Sequence, residues 1–236
     1  FDLHHFLNLL PNINTQVKSD LELHNYNAAK QKSVMPKFDE IKSKRYLVEL
    51  TRLDFLLNIL YQFIENNYHE DEYTISLCSD HGQQYFKSEN KILAEQRTKV
   101  PFMIRDISSR NGVVEDIIEN IDILPIMLSA SDIKYKDEKF DGCLPKILGG
   151  KIEKEFSYSE SIYPGQTYKA VVIDKHHRFY FESEGITNQD GEFMVGNCKI
   201  ELINIINSNN EHLIYKDKVK NYISVIKKHT EPYSKW

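Results

Sequence analysis

"TISLCSDHGQQYFKSENKILAEQRTKVPFMIRD", residues 74–106, sets two apolar, β-rich runs on either side of a polar stretch. The first, Tyr73–Cys78, reads as a buried strand with Cys78 in the core. It ends on Ser79-Asp80-His81-Gly82. The second run, residues 100–106, reads as another strand. The charged residues between them suit a loop at the edge of a sheet. Upstream, Tyr46, Leu50, Leu53, Leu57, Leu60 and Ile64 recur at spacings of three and four, which predicts one helix over 40–68. Downstream, "GVVEDIIENIDILPIMLSASDI" (112–133) is a helical pattern broken by Pro125. Strands alternating with helical segments predict an α/β sheet with parallel members. In such sheets polar groups with chemical roles collect beyond the carboxyl ends of the strands, where Asp80-His81-Gly82 falls.

Outside this region the texture differs. "FDLHHFLNLL" (1–10) is halted by Pro11-Asn12, and an Asn-, Gln- and Lys-rich stretch to Pro36 reads as a long surface loop. From about residue 151, β-rich runs separated by Gly, Asn and Asp turns predict an antiparallel meander. "HLIYKDKVKNYISVIKKH" (212–229) closes it as an amphipathic helix. The division expected is 1–150, an α/β part, and 151–236, an antiparallel β subdomain with a closing helix.

Bulk properties narrow the function classes. The chain has 236 residues, 41% hydrophobic and 28% charged, with a net charge of −5. That is globular composition without the basic footprint of a nucleic-acid binder. Lys42–Arg45 and Lys227–Lys228 read as solvated faces. Three widely spaced cysteines, Cys78, Cys143 and Cys198, fit neither a disulfide framework nor a zinc–cysteine site. No stretch reaches the ~20 apolar residues of a membrane span. The chain opens on Phe1 and carries no visible targeting segment, so it is expected to be a piece of a longer protein.

Ser79, Asp80 and His81 have the residue types of a catalytic triad, but consecutive residues are poorly placed for its line of hydrogen bonds. A carboxylate and an imidazole at a strand end, where the backbone turns, suit a divalent cation better, although two ligands do not complete a site and the tripeptide taken alone reads as a structural turn. Gly82 permits the turn. His176-His177 reads as a pair of exposed turn histidines.

The wider pattern resembles the sulfatases of the alkaline phosphatase superfamily. The matching elements are the apolar strand Thr74–Cys78, Ser79-Asp80-His81-Gly82, a loop lysine at Lys91, and a strand opening on Val100-Pro101. In the family's order, "YLVELTRLDFLLNIL" (46–60) resembles the preceding helix. Asp122-Ile123-Leu124-Pro125 resembles the Asp-Ile-Leu-Pro-Thr segment, with Ile126 for the threonine. "FDGCLPKILGG" (140–150) resembles the Asp-Gly-x-Ser-Leu stretch without its serine. The resemblance covers residues 1–150, and the tail fits the family's small C-terminal subdomain.

This resemblance implies a partial alkaline-phosphatase-like sheet with flanking helices. It implies a metal-dependent sulfuric ester hydrolase acting on a sulfated or phosphorylated small molecule or glycan. Asp80 and His81 match the metal ligands, for Ca, Mg, Mn or Zn. Lys91 matches the lysine that contacts the transferred anion, with Lys87 and Lys99 as rivals. His5, then His4, match the substrate-side histidine, although Phe6-Leu7 stands where the family often has a proline. His at position 81 is similar to the branch that cleaves phosphate or phosphonate esters, and some sulfatases share it. The runner-up reading is a phosphoester or phosphonate hydrolase, or a transferase of phosphoethanolamine or phosphoglycerol. A non-catalytic glycan-binding relative is the third reading. The nucleophile and remaining carboxylates are expected in a missing N-terminal half of the same protein.

Overall fold

The computed structural model describes residues 40–82, 92–105, 112–136 and 140–236, with the side chains of 40–43 left out. The fold is mixed α/β. The elements are α1 (Glu40–Asn67), β1 (Ile75–Cys78), α2 (Glu95–Thr98), β2 (Phe102–Arg105), α3 (Ile123–Ala130), β3 (Ser157–Ser161), β4 (Thr167–Ile173), β5 (His177–Ile186), β6 (Phe193–Met194), β7 (Lys199–Asn204), α4 (Lys216–Thr230) and β8 (Ser234–Lys235). Two compact units are present, one drawn from Phe1–Asn58 and Ser79–Pro101, the other from Ile59–Cys78 and Phe102–Trp236. No described helix is long and apolar enough to cross a membrane.

The expected long helix forms as α1, 28 residues without an internal Pro or Gly. Of its expected stripe, Tyr46, Leu53, Leu57 and Ile64 are half-buried, whereas Leu50 and Leu60 are exposed. A second stripe, Val48, Phe55, Ile59 and Phe63, is exposed. β1 and β2 pair with each other, Ile75 opposite Arg105 and Cys78 opposite Phe102. The pairing is antiparallel, which corrects the expectation of parallel members. Cys78, expected in a core, is exposed on this ribbon, as are Leu77 and Met103. Two strands of four residues have too little area to bury both faces.

The polar stretch before β2 is less loop-like than it reads. Ile92, Leu93 and Ala94 are buried, and α2 adds one helical turn.

The second unit is built on the sheet β3-β4-β5-β7, all antiparallel. Alternation decides which residues face its core. Ala170 lies opposite Phe181, and Val172 opposite Phe179, which lies opposite Leu202. All five are fully buried and share one cluster with Val219, Tyr222 and Ile226 of α4. The helical spacing of those three residues turns one face of α4 onto the sheet. Burying a Phe or Leu side chain contributes about 1.5–3 kcal/mol, so this seam is the main apolar anchor of the C-terminal residues.

Two polar clusters tie the unit together. At the β4–β5 turn, Asp174 accepts hydrogen bonds from the backbone N–H of His176 (2.8 Å) and His177 (2.6 Å), and from Tyr222 Oη (2.5 Å). The Lys218 ammonium lies 2.5 Å away. Burial alone raises the Asp174 pKa. The hydrogen bonds from Lys218, Tyr222 and the two backbone amides outweigh it and hold the carboxyl down at about 2. His177 is buried, which corrects its reading as an exposed turn histidine. Its Nδ1 lies 2.9 Å from Lys218 Nζ and its Nε2 2.8 Å from Glu211. An ammonium only donates, so Nδ1 accepts and Nε2–H donates to Glu211.

The second cluster centres on Asp122, which is buried. Its carboxylate accepts from the N–H of Glu119 (2.9 Å) and Cys143 (2.8 Å), and from Lys154 Nζ at 2.7 and 2.8 Å. Lys154 also meets Glu119 at 2.5 Å. Burial works against the Lys154 ammonium, but its bonds to Asp122 and Glu119 prevail and raise its pKa. Burial and the Asp122 charge push the Cys143 thiol up. Gly142 is required here, because a Cβ would stand 2.0 Å from the Ile121 carbonyl oxygen. Pro125 sits in the first turn of α3, where its missing N–H costs no helical bond.

Lys154→Met leaves a buried carboxylate without its cation. It should lower unfolding stability by about 3 kcal/mol in urea titrations. The folded-state pKa of Asp174 is below its unfolded value, so its stabilisation is complete above about pH 4 and fades as pH falls toward 2. Asp174→Asn should remove about 1–2 kcal/mol at neutral pH and flatten the acid limb of a stability–pH curve.

Candidate metal-binding turn

Residues Ser79–Gly82 continue the chain beyond β1 with no strand geometry, so neighbouring side chains are not forced to opposite faces. Asp80 folds back on its successor: Oδ1 accepts the His81 backbone N–H at 2.8 Å. That bond brings Oδ2 to 3.6 Å from His81 Nε2. The Asp80 side chain is 85% exposed and that of His81 49%, so both are reachable from solvent. Ser79 Oγ donates to the His81 carbonyl at 2.8 Å. The hydroxyl therefore engages main chain and not the imidazole, which removes a Ser79–His81 nucleophile–base contact from this geometry.

The orientation of the imidazole is set by its other nitrogen. Nδ1 lies 3.0 Å from the Gly82 carbonyl oxygen. A carbonyl only accepts, so Nδ1 carries the hydrogen. In the neutral ring Nε2 then has a lone pair, 3.6 Å from Asp80 Oδ2. Metal-bound histidines have this arrangement, one nitrogen donating to a backbone carbonyl and the other ligating. Two ligands each bonded at about 2.0–2.2 Å to one small divalent ion stand apart by a distance of this order.

Gly82 fixes the turn's position. Its N–H donates to the Arg97 carbonyl at 2.9 Å. A Cβ at Gly82 would lie 1.9 Å from the Gln96 carbonyl oxygen. Glycine is needed for this close backbone approach to α2. Two turn hydrogen bonds, Arg97 N–H and Thr98 N–H to the Ala94 carbonyl at 2.9 and 3.2 Å, hold α2 in place.

Of the expected site residues, Asp80 and His81 come together. Lys91, His5 and His4, with the rival Lys87, lie outside the described residues. Lys99 is described and stands 3.5 Å from Glu95 on an exposed surface. Among the described residues no group of three or more His, Cys, Asp or Glu side chains converges on one point. The sequence reading missed Lys154 as the partner of Asp122. Neither lysine of "KIEKEF" (151–156) gives a signal of a carboxylate 32 residues before Lys154.

Compared with known proteins, the chain matches no protein-family model and no curated protein sequence.

Gly82→Ala should push the 79–82 turn away from α2. The expected cost is about 2 kcal/mol by urea unfolding, with loss of the Gly82–Arg97 amide's protection in hydrogen exchange.

Proposed function

We propose that this chain carries part of the active site of a metal-dependent sulfuric ester hydrolase of the sulfatase kind. The observation that supports it most is the pair of facing acceptors. With Nδ1 donating to Gly82, Nε2 of the neutral His81 ring is an acceptor, and it lies 3.6 Å from the Asp80 carboxylate. Between two acceptors a positive charge belongs, and an exposed carboxylate–imidazole pair suits Ca, Mg, Mn or Zn. A second support is the meeting of two segments that resemble the family. Asp122 of the Asp-Ile-Leu-Pro run accepts the Cys143 N–H of the Asp-Gly-Cys stretch.

In this reading Asp80 and His81 hold the ion. A divalent ion there supplies charge that offsets the negative charge building on sulfuryl or phosphoryl oxygens as the ester bond breaks. Lys91 adds an ammonium against the same oxygens. His5, or His4, protonates the leaving oxygen or binds the substrate anion. The nucleophile and further carboxylate ligands come from another segment of the same protein. The exposed β1–β2 ribbon and the second apolar stripe of α1 favour such a segment, since both leave apolar surface uncovered. The imidazole at position 81 favours, as a second reading, phosphoester chemistry on the same site.

The test is calorimetric titration of the metal-free chain with Mn²⁺, Zn²⁺, Ca²⁺ and Mg²⁺ in turn. One ion should bind per chain, and Asp80→Ala and His81→Ala should each weaken it by roughly 100-fold or more. If no ion binds, or if both variants bind like the parent chain, the pair is a surface ion pair and the hydrolase reading falls.

A further inference from the structure

Within residues 151–236, the most exposed aliphatic side chains belong to two neighbouring segments, the loop after β7 and the turn before α4. Ile206 is 86% exposed, Ile214 72% and Leu213 71%, with Ile205 and Tyr215 also exposed beside them. The two segments rise from one base. Ile205 N–H donates to the His176 carbonyl at 2.9 Å, and Glu211 N–H to the Leu202 carbonyl at 2.7 Å. The Asn204 amide reaches the Glu211 carboxylate at 3.3 Å. Ile214 and Tyr215 N–H return to the Glu211 carbonyl at 3.0 and 3.1 Å. His177, itself held by Lys218, pins Glu211 from below. The aliphatic tips are thus carried on a hydrogen-bonded platform.

Among the exposed charged residues of 205–220, two lysines outnumber one acid. Glu211 is turned inward to His177. Lys216 and Lys220 face solvent on the first turns of α4, where the helix dipole disfavours cations. The acid near them is Asp217, 3.2 Å from Lys220. Lysines kept at an unfavourable helix end, beside aliphatic side chains kept in water, have a shared use at an anionic surface. Side chains this exposed project outward, whereas a protein partner would have to offer hollows to receive them. A bilayer closes around any apolar projection and presents phosphates to lysines at its rim.

We infer that the 205–220 region docks on an anionic lipid bilayer, with Ile205, Ile206, Leu213 and Ile214 entering the headgroup boundary and Lys216 and Lys220 meeting lipid phosphates. The assignment is independent of Asp80 and His81.

Flotation of the full chain with phosphatidylcholine vesicles, with and without phosphatidylglycerol, tests it. Because α1 also exposes apolar side chains, the informative quantity is the difference between variants. The parent chain should prefer the phosphatidylglycerol vesicles. The triple variant I206S/L213S/I214S should bind them roughly 30-fold more weakly. K216Q/K220Q should lose about 5-fold per lysine on phosphatidylglycerol and nothing on phosphatidylcholine alone. All five positions are solvent-facing, so circular dichroism should match the parent; if the triple variant unfolds, the lysine pair decides. Equal binding to both vesicles, or parent-like binding by the variants, overturns the inference. So does a parent dimer that I206S/L213S/I214S turns into a monomer, which would assign the patch to a second copy of the chain.

Discussion

The hydrogen bond from His81 Nδ1 to the Gly82 carbonyl decides what the Asp80–His81 pair can do. Without it the ring is free to place a proton on Nε2, and the pair closes as an ordinary surface contact. With it, Nε2 of the neutral ring is an acceptor set against a carboxylate, the arrangement on which the proposed cation site rests. The bond depends on the position of Gly82. That position depends on the Gly82–Arg97 hydrogen bond and on a backbone approach to Gln96 that tolerates no Cβ. The chemistry of two side chains thus rests on main-chain geometry supplied by a single turn of helix, α2.

The rest of the described structure follows a different logic. The C-terminal sheet and α4 are held by an apolar seam, and polar clusters lock the connections. Asp174 fastens the β4–β5 turn to α4 through Lys218 and Tyr222, and Asp122 fastens the start of α3 to Cys143 and Lys154. Both carboxylates are saturated by donors, so their part is to fix structure. Asp80 differs in being widely open to solvent. A solvent-open carboxylate 3.6 Å from an imidazole nitrogen is where the proposed ligand is best sought.

Local periodicity made much of the fold legible. The three-and-four spacing from Tyr46 to Ile64 gave α1, β-rich runs parted by Gly, Asn and Asp turns gave the antiparallel meander, and the amphipathic pattern of 212–229 gave α4. Pairing direction was not legible, because nothing within "TISLC" or "PFMIR" encodes which way its neighbour runs. For the same reason Cys78 was read as core when its ribbon leaves it exposed. Burial of His177 was equally hidden: its partners Glu211 and Lys218 lie 34 and 41 residues away. The convergence of Asp80 and His81 was legible, since a strand end followed by glycine allows adjacent side chains to meet. The tautomer was not legible, because it depends on the His81 Nδ1 contact with the Gly82 carbonyl oxygen in the folded turn.

The most direct measurement is the imidazole ¹H–¹⁵N correlation spectrum of His81 in the metal-free chain, repeated after adding a divalent ion. The account expects a protonated Nδ1, an unprotonated Nε2, and a shift of the Nε2 resonance on metal addition that Asp80→Ala diminishes. A proton on Nε2 with the spectrum unchanged by any of the four ions would contradict it.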